Sequence, residues 1–136
     1  MRTLICFYLQ LFFKCKNAED SFENQFIWDS MDVTATAYNS LDNQTSSTPE
    51  ITAFGDSLKP GLKYIAVSRD LLKMGLVKNT PVKIEGFEGI YFVKDKMHAR
   101  WTKRIDIYMG LDVKAAKEWG RKPICIEYGI PKKNDD

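Results

Sequence analysis

The chain is poor in the residues that usually bind metals: its 136 residues include three cysteines, Cys6, Cys15 and Cys125, and a single histidine, His98. No two cysteines form a CxxC pair and no histidine-rich set joins them, which argues against a zinc site. No motif calls for a cofactor. Charge of one sign is also lacking. A formal charge of +2 is close to neutral and gives no global case for nucleic-acid binding. There are no long repeats and no coiled-coil heptads. What remains is 44% hydrophobic and 28% charged, the composition of one soluble domain of about 100 residues plus a tail.

The one long apolar run covers residues 4–13, follows Arg2 and gives way to a polar, acidic stretch. This is the layout of a signal peptide, and it is too short to span a bilayer. Residues 1–16 are therefore expected to form a leader that exports the protein to the periplasm or cell envelope. Cys15 directly after the run suggests a lipid-modified cysteine and attachment to the membrane through the N-terminus, although Phe13-Lys14 departs from the usual small residues before such a site. The alternative is a buried N-terminal helix or strand. Residues 17–31, polar with scattered aromatics, read as a linker, 32–130 as the domain and 131–136 as a charged tail.

Within the domain, alternating or β-branched segments predict strands at 33–38, 51–54, 64–67, 80–85, 90–94, 104–109 and 124–128. The polar segment 39–49 predicts a long surface loop, with a glycosylation sequon at Asn43. Ser68 and Asp112 are expected to cap two short helices, 69–74 and 112–119, closed by Gly75 and Gly120. Cys125, between Ile124 and Ile126, reads as a buried, inert thiol. Six or seven short strands with two short helices indicate a mainly β protein folded as a small barrel, whose closure would remove exposed edges.

The chemistry concentrates between Val93 and Gly110. Asp95 ends one strand and Asp106 lies in the next, where period-two alternation puts Ile105, Ile107 and Met109 on one face and Arg104, Asp106 and Tyr108 on the other. Two carboxylates on adjoining strands can meet across a pocket; the plain alternative is a pair of surface salt-bridge or turn residues. Lys94, Lys96, Arg100, Lys103 and Arg104 surround them, either to hold an anionic polymer or to solvate a loop.

Thr-Ala-Tyr (36–38), Ile-Thr-Ala-Phe-Gly (51–55), Ile-Ala-Val-Ser (65–68), Val-Lys-Asp (93–95), Arg-Ile-Asp-Ile-Tyr (104–108) and Ala-Lys-Glu-Trp-Gly-Arg (116–121), in this order and spacing, resemble the three-aspartate domain. That domain is the C-terminal catalytic part of membrane-bound lytic transglycosylase A. The resemblance covers residues 33–128 and implies a double-psi β barrel that cleaves or binds the glycan strands of peptidoglycan. It assigns the acid and base work to Asp106 with Asp95 beside it, one carboxyl serving both steps of an anhydro-ring-forming cleavage. Ser68 stands where the family has its first aspartate. Asp70, two residues on, falls on the helix, and the loop 96–103 lacks the family's glycines. The alternative function is a non-catalytic peptidoglycan- or carbohydrate-binding module. Thr52, Tyr38, Tyr108, Trp101, Lys103 and Arg104 are expected to bind substrate, with packing or solvation as the competing role of each. His98 reads as a loop residue. No oligomeric state follows from the sequence.

Overall fold

In a computed structural model the described residues are 18–39 and 61–133. They form α1 (Ala18–Glu23), β1 (Phe26–Tyr38), β2 (Tyr64–Val67), α2 (Arg69–Lys73), β3 (Pro81–Ile84), β4 (Tyr91–Lys96), β5 (Arg104–Tyr108), α3 (Val113–Trp119) and β6 (Lys122–Pro131). The six strands close into a barrel in the order β1-β5-β2-β4-β3-β6. Closure leaves no strand edge unpaired among them, which is how a small sheet avoids edge-to-edge association.

The pairing has an internal two-fold that the sequence does not display. Each half reads strand, strand, helix, strand: β1, β2, α2, β3, then β4, β5, α3, β6. Exchanging the halves carries the parallel pair β1–β5 onto the parallel pair β2–β4, and the antiparallel pair β1–β6 onto β3–β4. The antiparallel pairs β2–β5 and β3–β6 map onto themselves. This doubled crossover of parallel strands is a double-psi β barrel.

Alternation built the core as expected. Ile65 and Val67 of β2, Val93 of β4 and Ile105 and Ile107 of β5 are sealed inside with Val33, Ala35, Val82, Ile84, Ile124 and Ile126. Leu71 of α2 and Leu76 after it are fully buried and belong to the same core. Asp112 caps α3 by accepting a hydrogen bond from Ala115 N at 2.9 Å. Ser68 precedes α2 but makes no side-chain cap. Its hydroxyl is drawn into the sheet, where it accepts from Arg104 N at 3.0 Å.

Several boundaries differ from the sequence reading. β1 starts at Phe26, seven residues before the expected Val33, so the stretch read as a linker holds α1 and the first half of a strand. Burial along that half is irregular, because it forms a ribbon with β6 outside the core, and no clean alternation marks it. β6 correspondingly runs from Lys122 to Pro131 rather than over 124–128. Aromatic contacts hold this ribbon to α1, with Phe26 5.1 Å from Phe22 and 5.9 Å from Trp28 between ring centroids. Cys125 is buried but disulfide-bonded, not a free thiol. The expected leader, most of the 39–49 loop, the strand at 51–54 and Thr52 lie outside the described residues.

Two substitutions test the packing. Ile107→Ala removes a fully buried side chain and should cost about 2–5 kcal/mol in urea unfolding. Gly129→Ala would place a Cβ 2.9 Å from Pro81 Cγ and 3.0 Å from Phe26, and should cost about 1–3 kcal/mol by overpacking.

Candidate functional site

One irregularity of the barrel creates the site. β2 pairs Ile65 with Val93 but Ala66 with Asp95, so β4 carries an extra residue, Lys94, between the two rows. Val93 points into the core, and strict alternation would send Asp95 there too. The bulge reverses that phase and turns Asp95 to the face of Ala66. On the other side of β2, Ala66 pairs with Asp106, which in turn pairs with Thr36 of β1. A single row, Thr36, Asp106, Ala66, Asp95, therefore crosses four adjacent strands on the face opposite the core. The methyl side chain of Ala66 leaves a hollow between the two aspartates.

α3 and the loop after β4 wall this hollow into an open groove of about 600 Å³. Asp95, Asp106 and Ala66 lie along it with Tyr38, Asn39, Met97, His98, Trp101, Ala116 and Lys117 among its lining. The Asn39 side chain fixes one end by donating to Gly110 O at 3.1 Å. Backbone bonds from Met109 N to Tyr38 O, 2.8 Å, and from Met97 N to Val67 O, 2.9 Å, tie the strand ends that border it.

Burial pushes the Asp106 carboxyl up to about 6, with the charge of Asp95 acting in the same direction; the Thr36 hydrogen bond and Arg104 pull against it. Thr36 Oγ1 donates to Asp106 Oδ1 at 3.0 Å. Asp95 Oδ1 accepts from Lys96 N at 2.8 Å. Tyr38 also faces the groove, and among the described residues its buried hydroxyl has no hydrogen-bond partner. Burial first, then Asp95, Asp106 and Tyr108, raise its pKa, so the phenol stays protonated and can donate to a bound group. A protonatable carboxyl, a second carboxylate and a phenol donor thus share one hollow. Among the described residues no group of His, Cys, Asp and Glu is placed to hold a metal ion.

The sequence-predicted residues divide. Asp95, Asp106, Tyr38 and Trp101 come together in the groove. Arg104 stands beside it: its guanidinium carbon lies 3.9 Å from the centroid of Trp101. Tyr108 does not line it. Its ring is buried, packs 5.3 Å from that of Tyr38 and borders a different hollow with Lys63 and Tyr91. Lys103 is exposed just before β5 and is absent from the lining; its backbone N–H donates to Asp70 Oδ2 at 2.9 Å. Thr36 and Ala66 were missed, while His98, read as a loop residue, is one and also lines the groove. The signal for Thr36 was its place in an alternating segment whose register matches that around Asp106.

No family model matches the sequence, and no curated protein matches it. Among solved structures it is similar to the apo expansin of Clavibacter michiganensis, at 18% identity over 79% of this chain and 52% of that one, with a TM-score of 0.48. An Asp-to-Asn mutant of the Clavibacter michiganensis expansin in complex with cellohexaose aligns at 18% identity over 79% and 54% of the two chains, with a TM-score of 0.45. The chain spans about half the length of these structures.

The raised pKa makes a signed prediction. The fold favours the protonated carboxyl, so the stability Asp106 contributes is full below about pH 4 and is lost as pH rises through about 6. Asp106→Asn cannot ionise. Its stability relative to wild type should therefore climb across this window by up to about 3 kcal/mol, read by urea unfolding at several pH values. A pH-independent difference would contradict the shift.

Proposed function

We propose that the protein is a carbohydrate-binding double-psi barrel whose groove takes a glycan strand, peptidoglycan being the polymer that the resemblance to the three-aspartate domain implies. The single observation behind this reading is the groove itself: an open channel with an indole at one end, an unpartnered phenol donor and two carboxylates along the floor. Sugars present hydroxyls to such polar groups and their C–H faces to aromatic rings. Export to the cell envelope belongs to the same proposal because that is where the polymer lies.

A second reading, cleavage of the lytic transglycosylase type, is favoured by Asp106. Such a reaction needs one carboxyl that gives a proton to the glycosidic oxygen and then takes one from the sugar's own C6 hydroxyl. A group that titrates at about 6 suits both halves near neutral pH. The position of the family's first aspartate tells the other way. Ser68 is fully buried and committed to Arg104 of β5 through its hydroxyl and its backbone N–H, at 3.0 and 2.8 Å, so it supplies no third acid to the groove.

Incubation with purified peptidoglycan, followed by pelleting and mass spectrometry, separates the readings. The module predicts co-sedimentation, weakened at least several-fold by Trp101→Ala, with no anhydro-muropeptides released. Anhydro products that disappear in Asp106→Asn while pelleting persists would establish the enzyme instead. Absence of both binding and products would overturn both readings.

A further inference from the structure

We propose that Arg100, Arg104 and Arg121, clustered at the Trp101 end of the groove, form a subsite for the carboxylate of an acidic sugar. This deepens the glycan-binding reading and rests on it. Trp101 lines the groove, and two guanidinium groups lie over its ring, Arg104 at 3.9 Å and Arg100 at 4.6 Å from the centroid. The sheet brings in the third. Thr34 of β1 pairs with Arg104 on one side and with Pro123 on the other, and Arg121 lies two residues before Pro123.

Among the described residues no ion pair joins any of the three to an acid, and Arg104 Nε is buried without a hydrogen-bond partner. Asp70, two residues after Ser68, accepts from Lys103 N through Oδ2 at 2.9 Å and forms no ion pair with the three. Burial and the neighbouring Arg121 and Arg100 lower the pKa of Arg104, with only Asp106 opposing them. A donor group left in this condition is ready for an anion, and a guanidinium matches a carboxylate with two parallel hydrogen bonds.

The groove also limits which anion. Asp95 and Asp106 on its floor would repel a chain with a phosphate on every unit. A strand with neutral rings and isolated carboxylates places rings over the acids and charge at the arginines.

Calorimetric titration with peptide-stripped peptidoglycan strands, and with the same strands after methyl-amidation of their lactyl carboxylates, tests the subsite. The acidic strands should bind about tenfold more tightly. The difference should vanish in the Arg100→Ala/Arg121→Ala double variant, both positions being exposed, and persist in Lys114→Ala, which loses charge elsewhere. Equal binding of the two strands by wild type, or a difference that survives the double variant, would overturn the subsite and leave the glycan reading standing. Binding of neither strand would overturn both.

Discussion

The site depends on one extra residue in one strand. Without Lys94 in the bulge, Asp95 would share the inward face of Val93 and a charge would enter a core made of isoleucine, valine and leucine, at a cost of several kcal/mol. With it, two aspartates from strands that are not themselves neighbours flank Ala66 on the outer face. The small side chain between them is the second requirement. A larger residue at position 66 would fill the hollow that both carboxylates border.

The barrel supplies the rigidity this arrangement needs. Its pseudo-two-fold puts the two central strands, β2 and β5, side by side, each followed by a short helix. The same doubled crossover that closes the sheet thus brings the ends of β1, β2, β4 and β5 to one groove. The hydrogen bond from Thr36 and the partial burial of Asp106 oppose one another, and burial wins. The carboxyl is held in place yet kept easy to protonate. Arg104 stacks on Trp101 and acts on Asp106 through its charge, which tempers the shift without cancelling it.

Much of the fold was legible because its core strands alternate cleanly. Ile65 and Val67, and Ile105 and Ile107, announced their strands, and Asp112 and Gly120 announced the ends of α3. The first half of β1 was not legible, since Phe26, Ile27 and Trp28 sit on a ribbon whose two faces are both partly exposed. The facing of Asp106 could be read from Arg104, Ile105 and Ile107. That of Asp95 could not, because period two from Val93 gives the opposite answer and bulges leave no mark in a single sequence. Alternation likewise put Tyr108 on the correct face but not at the correct distance along it. The pairing of Thr36 with Asp106, 70 positions apart, is a property of the closed sheet and not of either segment.

The claim that matters most is that Asp106 is a desolvated acid coupled to Asp95 across Ala66. Carboxyl-carbon NMR titration of wild type and of Asp95→Asn measures it directly. The account predicts a midpoint at about 6 for Asp106, moving down when the neighbouring charge is removed. A midpoint in the ordinary range of about 4, unchanged in the variant, would contradict it.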